Sequence, residues 1–334
     1  MNGNVHFRGG GARPPPREGD GFGRTEQEER NLEEGFDGNG DDGWRVTLKD
    51  RIQQWVLSLF LYTLDRTANK RGISFTFAWF ACTMATGGVA TLISAQPHTF
   101  RRLQVIGKVV YIFDLVLFVS FVAAISARFI LFPGTFRKAI VHPTEAPFIP
   151  TFFLSVVDIF NGAQVFGVAA TGYWLVYTLK VLFWIYLAYT FLLAVAQYTY
   201  LFSAPPHRLT VQSMTPSWIL PIFPAMLSGT FASEIAASQP AYSAMAIIVA
   251  GVTMQGLGWM VSFLMYAVYL QRVMAYGLPS PNLRPGMFIA VGPPSFTSLA
   301  IIRMSRAIPP HYGYFGVTPD ADAILHTMAL FTAM

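Results

Sequence analysis

The sequence predicts an all-α polytopic membrane protein, built from repeated helical hairpins around a central pore. Three observations predict it. Only 12% of the 334 residues are charged and 53% are hydrophobic, against about 25% charged in a soluble chain. Seven apolar stretches long enough to cross a bilayer follow one another, and an eighth begins before residue 334. Those stretches recur at a nearly constant interval, in pairs of unlike character. The composition excludes a soluble enzyme and a secreted disulfide scaffold. Cys82 is the single cysteine, so neither an internal disulfide nor a cysteine metal site is available. The basic charges are scattered between apolar runs, which reads as membrane topology rather than nucleic-acid binding.

Residues 1–50 hold 11 glycines, 7 Lys/Arg and 11 Asp/Glu, a net of −4, and include Pro14, Pro15 and Pro16. Such a segment buries too little apolar surface to offset its ordering entropy and is expected to be a disordered, acidic cytoplasmic tail. It lacks the basic-then-apolar layout of a signal peptide, so the first span is expected to direct insertion. Residues 51–72 form a second region. Ile52, Trp55, Val56, Leu59, Phe60 and Leu64 recur at helical spacing, but Ile52 to Leu64 is too short to cross ~30 Å of hydrocarbon. An amphipathic helix lying in the interface is expected; a docking helix for a partner has no separate support.

Residues 73–334 form the transmembrane domain. Its apolar stretches are Phe75–Ala95, Val105–Ala127, Phe148–Val168, Tyr173–Phe202, Ser217–Ala237, Tyr242–Leu270 and Gly286–Ile302, with the partial eighth from Ala323. The odd-numbered ones start at residues 75, 148, 217 and 286, so each unit is a pair of helices, an αα-hairpin of about 70 residues. The odd members carry breakers: Gly87 and Gly88; Pro150, Gly162 and Gly167; Pro221, Pro224 and Gly229; Gly292, Pro293 and Pro294. Val109–Phe132 and Tyr173–Ala204 contain neither Gly nor Pro, and only Gly251, Gly256 and Gly258 of the third unit break that rule. Interrupted backbone at membrane depth is tolerated where it faces protein or a water-filled cavity. Odd helices are therefore expected inside, lining a pathway, and even helices outside, facing lipid. The competing reading of any one Gly is close helix packing.

Positive residues near the span ends set the orientation. With the N-terminus in the cytoplasm, the inner side holds Arg66, Lys70, Arg71, Arg128, Arg137, Lys138, Arg208, Arg272 and Arg284, and the outer side Arg101, Arg102, Arg303 and Arg306. Nine against four favours that orientation.

Asp114, Asp158 and Lys180 fall deep within spans, where a charge costs several kcal/mol unless paired or hydrated. Asp158 lies on an odd helix three residues before Asn161 and is a candidate proton carrier; Lys180 is a candidate ion-pair partner for Asp114 or Asp158. Lys108 and Glu234 lie near span ends, where snorkelling is the ordinary explanation. No catalytic constellation, phosphate loop or metal spacing is present, so no enzyme activity, cofactor or metal is expected. Thr83, Thr86, Ser228 and Ser295 are placed to hydrogen-bond a solute, or to back-bond to their own helices. Gly292-Pro293-Pro294 suits the start of a half-helix whose positive dipole end points inward toward an anion, and Pro221-x-x-Pro224 offers a similar break. The expected path is thus Thr83, Thr86, Gly87, Gly88, Asp158, Asn161, Pro221, Pro224, Ser228, Gly229, Gly292, Pro293, Pro294 and Ser295.

Several runs carry a family likeness: FTFAWFACTMATGGV (75–89), IGKVVYIFDLVLF (106–118), MTPSWILPIFPAMLSG (214–229), MQGLG (254–258) and RPGMFIAVGPPSF (284–296). Over residues 73–334 the chain resembles the fungal malic acid permeases of the tellurite-resistance/dicarboxylate transporter family, which includes slow anion channels and sulfite exporters. The likeness is closer to the malate branch than to the sulfite branch. It implies ten helices as five hairpins around a pore, odd helices inside, often as trimers. It also implies proton-coupled transport of malate and related dicarboxylic acids across the plasma membrane. Two features depart from the pattern. About 20 extra residues precede the first span, and residue 334 falls inside helix eight, where five repeats of about 70 residues would need roughly 425. A C-terminally incomplete member is therefore expected. The gating phenylalanine that the resemblance places on helix nine has no counterpart here.

One charge crossing 100 mV is worth about 2.3 kcal/mol, so uptake of a dianion into an inside-negative cell requires protons or the monoanion. Two alternatives stand beside malate transport: a channel or exporter for another anion such as sulfite, and a non-transporting membrane fragment.

Overall fold

The computed structural model describes residues 75–333 apart from 97, 99, 101, 133, 142–144, 204–209 and 310–320. The expectations for residues 1–72 lie outside the described residues. No β-strand occurs among the described residues, and six helices are long and apolar enough to cross a membrane. The chain is a polytopic helical membrane protein.

The helices are α1 (Phe80–Ser94), α2 (Leu103–Leu131), α3 (Thr135–Val141), α4 (Pro150–Gly162), α5 (Tyr173–Ser203), α6 (Phe223–Ile235), α7 (Ala241–Tyr276), α8 (Gly292–Ala307) and α9 (Ala321–Ala333). A 3-10 segment precedes each of α1, α4, α6 and α8, at Phe77–Trp79, Ala146–Phe148, Pro216–Ile219 and Pro281–Val291. Proline accounts for three of these entries. Pro147, Pro216 and Pro281 occupy first-turn positions, where the missing N–H would have had no intrahelical partner anyway. α4 runs on through a π turn, Ala163–Gly167, and one further turn, Val168–Thr171.

α2, α5 and α7 are unbroken over 29, 31 and 36 residues. At 1.5 Å per residue they are roughly 43 to 54 Å long, more than the hydrocarbon thickness, and so tilt or project from it. Exposed aromatics mark their ends: Tyr173, Trp174 and Tyr177 open α5 and Phe202 closes it, while Tyr242 and Tyr276 bracket α7. That is the distribution expected of membrane-interface belts. Gly172 and Gly277 take positive φ, 80° and 71°, at the residues that end the helix before α5 and α7 itself.

One expected span differs. Ser217–Ala237 is not a continuous membrane-length helix: the 3-10 segment and a turn give way to α6, only 13 residues long. Every residue of α6 except Glu234 is buried. Pro216, Pro221 and Pro224 prevent one uninterrupted helix from forming, and burial on all sides supplies the partners that lipid cannot.

α6 is the hub. It packs against α4, α5, α7 and α8; α1 packs against α2 and α4, and α8 against α7 and α9. The four helices with 3-10 entries thus form a continuous row, α1 to α4 to α6 to α8, with α2, α5, α7 and α9 applied to it. Leu154 and Val157 of α4, Phe183 and Tyr186 of α5, Phe231 of α6, Ile247 of α7 and Met304 of α8 share one apolar core. Phe77, Phe80, Leu117 and Phe121 form a second between α1 and α2.

Two of the three exceptional glycines of α7, Gly251 and Gly258, follow from this packing. A Cβ on Gly251 would meet the Ala232 Cβ at 2.4 Å, and one on Gly258 the Met226 Cβ at 2.4 Å. Helix association in lipid depends on such close approach, because apolar burial gains nothing against acyl chains.

Candidate functional site

The predicted path residues fall at three places along the row. The first is the seam between α1 and α4. Thr83 Oγ1 and Ser155 Oγ lie 2.6 Å apart, Thr83 donates to the Phe80 carbonyl at 2.8 Å, and Thr151 donates to the Phe77 carbonyl at 2.6 Å. Thr83 is therefore part of a buried polar seam joining two helices. Thr86 is half-buried and back-bonds to the Cys82 carbonyl at 2.9 Å. Gly88 has open space where a Cβ would stand.

Gly87 does not. A Cβ there would lie 2.9 Å from Asp114 Oδ2 and 3.1 Å from Asp158 Cβ, so Gly87 is the notch on α1 into which both acids fit. Asp114 and Asp158 are 1% and 5% exposed. Neither oxygen of Asp114, nor Asp158 Oδ2, nor Asn161 Oδ1 has a hydrogen-bond partner among the described residues. Two phenols stand nearby: Tyr111 donates to the Ile159 carbonyl at 3.0 Å and Tyr186 to the Phe153 carbonyl at 3.1 Å.

The expected pairing of Lys180 with these acids is absent. Among the described residues the ion pairs are Arg128–Glu145 and Arg303–Glu234, and Lys180 Nζ instead lies 5.0 Å from the centre of the Tyr177 ring. Val176, Leu179, Phe183 and Tyr186 make the buried stripe of α5, and Lys180 sits half-buried at the edge of that stripe, over the Tyr177 ring.

The second place is α6. Pro221, Pro224, Ser228 and Gly229 are all buried, and Ser228 donates to the Ala225 carbonyl at 2.6 Å. A Cβ on Gly229 would meet Gln255 Oε1 at 2.4 Å. Gln255 of α7 donates to Thr297 Oγ1 of α8 at 2.8 Å, so one amide ties three helices around Gly229. The third place is the start of α8. The α-helix begins at Gly292, with Pro293 and Pro294 in its second and third positions, as the breakers predict. Gly292 and Pro294 are half-buried and Pro293 is buried; Ser295 is exposed and back-bonds to Val291 at 2.9 Å. The Phe223 ring faces Gly292, with its Cζ 2.6 Å from where a Cβ would be. All four singled-out hydroxyls thus bond within their own helices.

Two clusters escape the sequence reading. Arg128, counted there as a topology marker, is 2% exposed, donates to Glu145 Oε1 and to the Phe75 carbonyl, each at 2.6 Å, and joins the end of α2 to the entries of α1 and α4. Glu234, expected to snorkel, pairs with Arg303, joining the end of α6 to α8. Glu234 and Arg303 are 69 residues apart, one repeat interval, and that spacing was the available signal. Thr230, Glu234 and Ser238 follow at four-residue intervals. Gln164, from the π turn, donates to Ser238 Oγ at 3.2 Å. Thr230 Oγ1 and Gln164 Oε1 are buried without partners among the described residues. No three metal-ligating side chains converge among the described residues.

Comparison with known proteins follows the same residues. The voltage-dependent anion channel family matches residues 74–334. A malic acid transport protein of Schizosaccharomyces pombe is 37% identical over 260 residues, 78% of this chain and 59% of the relative. A putative malic acid transport protein of the same organism is 36% identical, covering 78% of this chain and 60% of the relative. A sulfite efflux pump of Trichophyton rubrum is 24% identical, covering 77% of this chain and 68% of the relative. The chain spans about three fifths of the length of the malic acid transport proteins it matches. No solved structure matches.

Proposed function

The chain belongs to the voltage-dependent anion channel family, and from that premise we propose that it carries malate and related C4-dicarboxylic acids across the plasma membrane. The observation that carries this reading is its greater likeness to malic acid transport proteins than to a sulfite efflux pump over the same membrane region. The row α1, α4, α6 and α8 is the natural place for the path, because its helices hold the proline-broken backbone and most of the buried polar groups. In this reading the N-terminus is cytoplasmic, the C-terminal ends of α4, α6 and α8 lie toward the outside, and protons and one or more further copies of the chain are the partners.

Uptake is proton-linked, for an energetic reason. A dianion entering an inside-negative cell works against about 2.3 kcal/mol per charge for each 100 mV. A monoanion carries half of that burden, and carboxylic acids approach that form as external pH falls toward about 4. Asp158 and Asp114, buried side by side against Gly87, are the proton carriers. The test is uptake of labelled malate by cells that lack carriers of their own, at external pH 4 and pH 7. Faster uptake at pH 4 is expected, with weak competition from sulfite. Equal rates at both values remove the proton linkage, and stronger competition from sulfite than from succinate moves the assignment to a sulfite carrier.

A further inference from the structure

We propose that Arg303 is a carboxylate-binding residue of the transport path, held in reserve by Glu234. An anion bearing a carboxylate takes Glu234's place on the guanidinium. The inference rests on reading the chain as an organic-anion carrier and adds the residue that recognises the cargo.

The row is poor in positive charge. Across α1, α4, α6 and α8 the cationic side chains are Arg303 and Arg306, both on α8. An anion entering among apolar helices loses hydration and needs a fixed cation to replace it. Guanidinium is the side chain whose planar fork matches a carboxylate, and it stays charged when desolvated. Glu234 already shows that a carboxylate fits against Arg303.

The pair is built to be opened, as the other pair is not. Arg128 is 2% exposed and is held by a backbone carbonyl as well as by Glu145. The Arg303 and Glu234 side chains are 23% and 12% exposed, and Glu234 is the partner found for Arg303 among the described residues. Water reaches this pair, so Glu234 can be displaced without being stranded.

The surroundings hold unused hydrogen-bonding capacity, which buried groups rarely do without a reason. Thr230, one helical turn from Glu234 on the same stripe of α6, is 3% exposed, and its Oγ1 has no partner among the described residues. Gln164 Oε1 is buried without a partner among the described residues, while the Gln164 amide N–H donates to Ser238, one turn beyond Glu234. Arg303 at Glu234, the Thr230 hydroxyl one turn before it and the Gln164 amide oxygen beside Ser238 one turn after it set a cation, a hydroxyl and an acceptor along one stripe. A singly ionised hydroxy-dicarboxylic acid brings the carboxylate and the O–H groups that such a stripe would engage.

The test uses the full 334-residue chain, purified in detergent, with L-malate as the probe. The readouts are the malate-dependent rise in melting temperature and, separately, flux into proteoliposomes. Replacing both partners by leucine (R303L with E234L) leaves no stranded charge, and such swaps are commonly neutral for stability. This double variant should keep its ligand-free melting temperature and lose the malate-dependent rise. Glu234→Gln removes the competitor and should lower the half-saturating malate concentration about tenfold, the equivalent of ~1.4 kcal/mol. A double variant that saturates as the parent does, a Glu234→Gln variant that needs more malate, or a parent chain with no malate response would each overturn the inference. A parent chain that binds malate in an Arg303-dependent way but carries no flux would sink the transport reading and leave the binding site standing.

Discussion

The row helices α1, α4, α6 and α8 are 15, 13, 13 and 16 residues long, each entered through a 3-10 segment, whereas α2, α5 and α7 run unbroken for 29, 31 and 36 residues. Between α5 and α6 the difference follows from what surrounds each. α5 turns Trp184, Ile185, Leu192 and Val195 outward and must satisfy its own backbone throughout. α6 has protein on every side, so proline breaks at Pro221 and Pro224 cost it little. Enclosure explains α6 but not the whole row: α1 and α8 are no more buried than α2, α5 and α7, and what sets α4, α6 and α8 apart is proline in the first turn, which α2, α5 and α7 lack throughout.

Three sets of substitutions break or sharpen that comparison. The largest effect is expected where the row is latched. Arg128→Ala leaves Glu145 and the Phe75 carbonyl without their donor and should destabilise the chain by about 3–5 kcal/mol. Melting temperature in detergent checks it, and Glu145→Ala should lose a comparable amount. Next come the glycines of α7, which compare two faces of one helix. Gly251→Ala and Gly258→Ala push against α6 and should each cost about 1–3 kcal/mol. Gly256→Ala, with nothing near its Cβ, should be neutral or raise the melting temperature, because alanine is the better helix former by ~1 kcal/mol. Equal losses at all three positions would mean that the α6–α7 contact is not close-packed. The smallest effect belongs to the outer face. Leu192→Ala on α5, 65% exposed, should change stability by no more than about 0.5 kcal/mol. A loss of several kcal/mol there would place that face against protein rather than lipid.

The legible part of the site was the part written in backbone-breaking residues. Gly292-Pro293-Pro294 marked the start of α8 to the residue, and the proline pair in 221–224 marked the entry of α6. These residues act on their own backbone, so their effect needs no partner. Pairings were not legible, although the repeat interval between Glu234 and Arg303 hinted at one. Lys180 looked like a partner for Asp114 or Asp158 because all are intramembrane ions, yet at the edge of the buried stripe of α5 it lies over the Tyr177 ring instead. Arg128 looked like one more positive charge at a span end, because nothing in its neighbours on α2 shows that Glu145 and Phe75 will converge on it.

Alone, the sequence determined the class of solvent for each segment, the number of apolar stretches and the sites where helices must break. Those are consequences of hydropathy and of φ and N–H chemistry, which are local properties. Tertiary structure alone decided which breaks are enclosed, which glycines are contact surfaces, and which charges meet. Each of these depends on the rotation and approach of one helix against another, and no single helix carries that information.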